Sequence, residues 1–203
     1  MHRLPDFSPI QIKTNLVRDA YRIKVVDAEF LSNDISMARA TCQLLRKTEN
    51  SPQKVWSPPN WTVPRPDEIP TPSGDRQSEM GSRRMRPISG SMSTFGKKQL
   101  WISEQRNLVD EIPLSPWMQV ALMADFANPF ANSGDGGLGY INSDVTLYLH
   151  RLPVDEWLGL EVTNHQATDG VSIAECYIYD LQGMIGSSSV TGLAQKRGPR
   201  IKG

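Results

Sequence analysis

The sequence predicts an α+β fold in which antiparallel strands wrap around one central helix, built in two copies of which the first is incomplete. Three observations predict it. The chain carries an internal repeat, it holds one apolar run bounded by helix start and stop signals, and its β-branched runs are joined in pairs by turn-forming residues.

The repeat comes first. His2-Arg3-Leu4-Pro5 recurs as His150-Arg151-Leu152-Pro153. Continuing without gaps, Ile10-Gln11-Ile12 falls on Leu158-Gly159-Leu160, residues 22–31 fall on 170–179, and residues 37–45 fall on 185–193. Each copy reads as a strand after the Arg-Leu-Pro and then a hairpin of two longer strands. The turns are Ser32-Asn33-Asp34 and Asp180-Leu181-Gln182-Gly183, made of residues that tolerate turn geometry. Val, Ile, Tyr and Thr fill the strands, as half-buried strands prefer.

Between the copies, residues 51–90 hold eight of the fifteen prolines among scattered Ser, Gly, Arg and Asp. That composition buries too little apolar surface to fold alone and reads as an extended linker, with Trp56 and Trp61 placed to pin it to a domain surface. Beyond it, LWIS at 100–103 is a short strand. Ser115-Pro116 offers an N-cap and a proline at the first helical position, and WMQVALMADFA at 117–127 reads as a helix ended by Asn128-Pro129. The helix is apolar on nearly every side, which predicts burial all round. A Gly-rich turn and a strand over 140–150 follow. Residues 134–139 match G-x-G-x-x-G literally, but a helix precedes and a strand follows, the reverse of a dinucleotide site.

One apolar helix embraced by a long antiparallel sheet is the hotdog arrangement. The second copy holds every part of it, and the first holds only the portion from His-Arg-Leu-Pro onward. The expected organisation is a partial N-terminal hotdog at 1–47, a Pro-rich linker at 48–98, a C-terminal hotdog at 99–197 and a basic tail at 198–203. The expectation follows that the chain is a truncated product whose missing strand and helix precede Met1. The apolar face carried by Ile23, Val25 and their neighbours would then be exposed, and a homo-oligomer is one arrangement that would cover it.

Composition narrows the function. Twenty-two basic and twenty-two acidic residues balance, so bulk charge asks for neither nucleic acid nor an anionic membrane. The basic clusters at 83–86 and 196–202 read as solvated surface or linker. Two isolated cysteines, Cys42 and Cys176, make neither a metal site nor a disulfide framework and point to a reducing compartment. No apolar run reaches the roughly 18 residues of a membrane span, and MHRLPDFSP has no secretory h-region. The expected protein is soluble and cytoplasmic, without cofactor or metal.

The stretch YINSDVTLYLHRLPVDEW at 140–157, the helix with Ala124-Asp125 and the closing hairpin through Leu193 resemble the acyl-CoA thioesterase II family of double hotdogs. The resemblance covers residues 1–47 and 99–197 and implies hydrolysis of acyl-CoA to free acid and CoA, with acyl-CoA as the partner. The family holds its attacking water with an Asp, a Thr and a Gln. The Asp position matches Asp125, the Thr position falls on Asn142, and the Gln position falls on Thr191, or on Val190 if aligned from Gly192.

The residues carry their own reading. Asp125 lies in what reads as the last turn of an apolar helix, where a carboxylate opposes the helix dipole. It is a candidate general base or water-orienting group, against the plainer reading of a cap or a salt bridge to a nearby Arg. Asn142, Asp144, Thr146, Tyr148 and His150 alternate onto one strand face, opposite Val145, Leu147 and Leu149. Asn142 is read as groove-lining and His150 as structural. With no Ser nucleophile elbow and no Cys-His pair, the expected chemistry is direct attack of water, aided by Asn142 and Thr191. The alternative is a catalytically inactive acyl- or CoA-binding hotdog, which the lack of the Gln favours.

Overall fold

The computed structural model describes residues 8–71 and 83–195. The first His-Arg-Leu-Pro and the basic tail lie outside the described residues. The chain divides into two compact units, Met1–Pro58 and Pro59–Gly203.

In the first unit, β1 (Ile10–Asp19), β2 (Ile23–Ser32) and β3 (Ile35–Leu45) form an antiparallel meander in that order. The β2–β3 turn places Asn33 and Asp34 at φ 51° and 60°. Two successive left-handed residues make the tight turn that matches strand twist, and Asn and Asp accept that conformation best after glycine. Ile23 and Val25 are half-buried, while Ile10, Ile12, Leu16 and Val17 of β1 and Leu44 and Leu45 of β3 are exposed.

The second unit is a six-stranded antiparallel sheet with a helix across one face. Its strands are β4 (Arg83–Ser89), β5 (Gln99–Glu104), β8 (Tyr140–Leu149), β9 (Leu158–Thr168), β10 (Val171–Asp180) and β11 (Gly183–Ala194), in the order β4-β5-β9-β10-β11-β8. The helix, α1, spans Pro116–Asn132, and a two-stranded turn of β6 (Ser133–Gly134) and β7 (Gly137–Leu138) follows it. The glycine-rich run is thus a turn, as its context required. β4 lies inside the stretch read as linker. Its register on β5 pairs Met85 with Ile102, Met85 packs against the core, and Arg83, Arg84 and Ser89 bond Glu104, Ser103 and Gln99 on β5. Pro87 is tolerated because β4 is an edge strand.

Residues of one parity face the helix. Leu100 and Ile102 on β5, Leu158 and Leu160 on β9, Ala174, Cys176 and Ile178 on β10, and Val190 on β11 close over Val120, Met123, Ala127 and Phe130 of α1. Each large side chain buried there contributes about 1.5–3 kcal/mol. The outer face is covered in part by the proline-rich segment. Trp61 stacks on Tyr179 with centroids 4.1 Å apart and tilts against Trp101 at 5.1 Å, and the Trp101 Nε1–H donates to the Pro64 carbonyl at 2.8 Å. Gly159 makes the room, since a Cβ there would sit 2.4 Å from the Trp61 ring. Trp56, expected to pin the same segment, is exposed.

The His-Arg-Leu-Pro of the second copy is a fastener. Arg151 forms a bidentate pair with the buried Asp180 at 2.5 and 2.7 Å, and the same carboxylate accepts the N–H groups of Val154 and Gln182. His150 reaches the Met184 carbonyl with Nε2 at 2.9 Å, the structural role expected of it. Burial alone would raise the Asp180 pKa, but the guanidinium and the two N–H donors outweigh it and hold the carboxyl below its ordinary value.

Two outcomes follow. Replacing Arg151 with Met leaves a buried carboxylate unpaired and should cost about 3 kcal/mol or more in a urea melt. Because the folded-state pKa of Asp180 is depressed, its contribution is complete above the unfolded value and drains away as pH falls through the folded one. Acid titration of the wild type should therefore show stability lost below about pH 4, and the Arg151 variant should show less of that loss. Gly159→Ala should cost about 1–3 kcal/mol and release the Trp61 contact, read as a red shift in tryptophan emission.

Candidate active site

The helix is built on its start signal. Ser115 is extended at φ −71° and ψ 158°, its Oγ accepts the Met118 N–H at 3.2 Å, and Pro116 opens the first turn. The stop expected at Asn128-Pro129 does not operate, and α1 runs on to Asn132 with Pro129 inside it. Tertiary contacts override the local signal. The Lys98 ammonium, itself buried, donates to the carbonyls of Phe130 at 3.1 Å and of Ser133, capping the last turn and favouring the negative end of the helix dipole. Burial lowers its pKa, against the opposing influence of Cys176.

The longer helix changes the setting of Asp125, which now lies in mid-helix. Pro129 has no N–H to give the Asp125 carbonyl, so the backbone there lacks its normal i+4 partner. Nor is α1 buried all round. Trp117, Ala121 and Asp125, spaced four residues apart, form an exposed stripe opposite the core-facing residues. Among the described residues no cation lies within ion-pair distance of the Asp125 carboxylate. Arg83 lies 5.5 Å from the centroid of the neighbouring Phe126 ring, and its guanidinium goes to Glu104 at 2.7 Å. The salt-bridge reading of Asp125 finds no partner among the described residues.

The alternation expected along β8 holds from Asp144 to Leu149 and breaks before it. Thr191 pairs with Asp144 while Gly192 pairs with Asn142, so Ser143 is an extra residue, a β-bulge. The bulge reverses parity. Asn142 moves to the helix side of the sheet with Tyr140 and Gly192, whose added Cβ would meet Tyr140 at 3.1 Å and the inward Ser172 Oγ at 2.7 Å. Asp144 stays on the outer face. There it accepts the Thr191 N–H at 3.0 Å and bonds the Thr191 hydroxyl, which also meets Ser143 Oγ at 2.8 Å.

Of the three predicted site residues, the structure thus brings Asp125 and Asn142 to one side of the sheet and puts Thr191 on the other. Thr191 closes the bulge that sets Asn142. The inward position beside it belongs to Val190, buried and apolar.

Sequence reasoning missed the polar groups on the helix side. Ser188 donates to the Ala124 carbonyl at 3.1 Å, one residue from Asp125. Further along, Asn132 gives its amide N–H to Asn128 at 2.8 Å, and its oxygen meets His165 Nε2 at 3.0 Å and Ser172 Oγ at 3.3 Å. Asn128 and Asn132 follow Asp125 at helical spacing, the one signal that could have grouped them, but read as loop residues they pointed nowhere. Cys176 is fully buried and desolvation pushes its thiol up to about 12, so it is no nucleophile at neutral pH. Among the described residues no group of His, Cys, Asp or Glu could hold a metal ion, and no helix is long and apolar enough to cross a membrane.

An antiparallel sheet wrapped on one helix, with a lone carboxylate on that helix, defines a protein of the hotdog class. Similar solved structures agree on the fold. The tesB protein of Mycobacterium avium subs paratuberculosis matches with a TM-score of 0.67 at 14% identity, covering 95% of this chain and 75% of that one. An acyl-CoA thioesterase II from Mycobacterium marinum gives 0.62 at 16% identity, over 93% and 74% of the two chains. A hot dog fold protein from Alicyclobacillus acidocaldarius gives 0.66 at 14% identity, over 92% and 73%. No curated protein matches the sequence. The acyl-CoA thioesterase C-terminal domain family matches residues 59–194, and the chain belongs to that family. The matched segment begins at the boundary between the two units and includes β4.

The bulge gives a direct test. Asp144→Ala strips the acceptor from the Thr191 N–H and hydroxyl and should cost about 1–2 kcal/mol in chemical denaturation. Amide resonances of Asn142 and Ser143 should shift as the bulge relaxes.

Proposed function

We propose that the protein hydrolyses acyl-CoA thioesters by direct attack of water, with Asp125 as the general base and Asn142 orienting the water. The observation that carries this reading is Asp125 itself, the one carboxylate of the hotdog helix, which has no cation partner among the described residues. In the reaction the water oxygen attacks the thioester carbonyl carbon while Asp125 accepts its proton. The tetrahedral intermediate then collapses, the C–S bond breaks, and the CoA thiolate leaves and takes up the proton. Asn142 lies on the same side of the sheet as the helix and can direct a water through its amide. Membership of the acyl-CoA thioesterase family supports the substrate class.

In the same reading, the three strands of the first unit are the strand portion of a second hotdog, which makes the protein a double hotdog. The repeat supports this, since β1, β2 and β3 occupy the repeat positions of β9, β10 and β11. The competing reading is a hotdog that binds acyl-CoA without cleaving it. It draws on Val190 and Thr191, which leave the helix side of the sheet without the family's third water-holding group.

Release of free thiol from acyl-CoAs of graded chain length tests the two. Hydrolysis by the wild type and a fall of about a hundredfold or more in Asp125→Asn are expected. Wild-type turnover in that variant would remove Asp125 from the mechanism. Binding without thiol release would establish the silent module. The variant should melt close to the wild-type temperature, because Asp125 is exposed and a surface substitution changes stability by about 0.5 kcal/mol at most.

A further inference from the structure

The basic run at residues 83–86, read from sequence as solvated linker, is the outer strand of the sheet that carries the candidate site. Strand alternation divides its arginines. Arg83 turns to the helix side, over the ring of Phe126, the residue next to Asp125. Arg84 and Arg86 turn to the opposite side, with their guanidinium carbons 4.9 and 5.5 Å from the centroid of the Trp157 ring. A fourth guanidinium, Arg106, joins Arg83 on the carboxylate of the buried Glu104 at 3.3 Å.

The charges on this edge do not cancel. Among the described residues, Glu104 serves Arg83 and Arg106, Glu156 serves Arg84, and Arg86 has no carboxylate within ion-pair distance. The Arg86 Nη1 donates only to the neighbouring Met85 carbonyl at 3.1 Å. Among the described residues, four guanidiniums face two carboxylates on one edge of a chain whose formal net charge is +0. These guanidiniums are also held in place. The indole of Trp157 fixes the planes of Arg84 and Arg86. Burial would raise the pKa of Glu104, but its bonds from Arg106 and Arg83 bring it down to about 2, so it stays ionised and keeps both guanidiniums oriented. Pre-oriented guanidiniums with unused N–H edges fit the oxygens of carboxylates and phosphates, and several of them together suit a ligand that carries more than one phosphate.

We propose that the β4 edge binds the phosphates of a nucleotide, the 3′-phosphoadenosine diphosphate end of the CoA thioester. The assignment rests on the CoA-thioester reading of the site. It places the phosphates where Arg83 links the edge to the helix turn that bears Asp125.

Calorimetric titration of the full chain with 3′,5′-ADP tests it without reference to turnover. Binding should be detected and should weaken as salt is raised. Arg86→Ala and Arg106→Ala, both at accessible positions, should each weaken it about tenfold, the worth of a lost charge-assisted hydrogen bond. Arg39→Ala, which removes an equal charge from the first unit, should bind as the wild type does. Thermal melts establish that the variants are folded. Absence of 3′,5′-ADP binding by the wild type, equal binding by the two edge variants, or equal affinity for inorganic pyrophosphate would each overturn the assignment. An inactive protein that binds 3′,5′-ADP through these arginines would retain the edge site and sink the hydrolase. An active hydrolase that ignores 3′,5′-ADP would do the reverse.

Discussion

The second unit depends on the burial of α1 against the inner face of the sheet. Val120, Met123, Ala127 and Phe130 have no other place to leave water, and the β-strands have no other apolar surface to cover Leu158, Leu160, Ala174 and Ile178. Everything distinctive about the candidate site is a departure that this seam permits. A helix pinned along one face can carry a carboxylate on the other, continue through a proline, and take its last-turn cap from the lysine that precedes β5. Alone, a segment with Asn128-Pro129 at its centre would stop there. The cost of the missing hydrogen bond, about 3 kcal/mol for proline in a helix interior, is comparable to burying one large side chain such as Phe130.

The sheet positions its groups by parity, and one extra residue is enough to reverse it. Ser143 moves Asn142 to the helix side while Asp144 remains outside, so two residues that look equivalent in the sequence have different work. Asp144 and Thr191 bond one another on the outer face and hold the bulge. Asn142 is what the bulge presents. The same logic explains why a polar Thr191 adds nothing beside Asp125, and why Ser188, one parity away, touches the helix.

The repeated His-Arg-Leu-Pro has a plain physical use in its second copy. Arg151 and His150 tie the start of one connection to the hairpin between β10 and β11, through a buried carboxylate and a backbone carbonyl. Such a clasp fixes the hairpin against the strand that leads into it. The proline-rich segment does similar service outside. Trp61 seals the outer face over Gly159 and Tyr179, so a stretch with too little apolar content to fold alone becomes ordered where two of its residues find a surface.

The fold class was legible in the sequence because it is written in periodicity. Strands after His-Arg-Leu-Pro, the Asn33-Asp34 turn and the start of α1 at Ser115-Pro116 depend on local backbone preference and on the spacing of apolar residues, and they stand where those features put them. Asp125 stood out in the sequence as a charge in an apolar run, but its place on the exposed stripe with Trp117 and Ala121 depends on how the helix seats on the sheet. What the sequence could not decide was anything set by a partner distant in the chain. The end of α1 is fixed by Lys98, the β4 strand by Ile102, the side taken by Asn142 by its register on Gly192, and the separation of Thr191 from Asp125 by the thickness of the sheet. Local preferences amount to tenths of a kcal/mol per residue, whereas a buried contact or a paired charge is worth one to several, so where the two disagree the tertiary structure prevails.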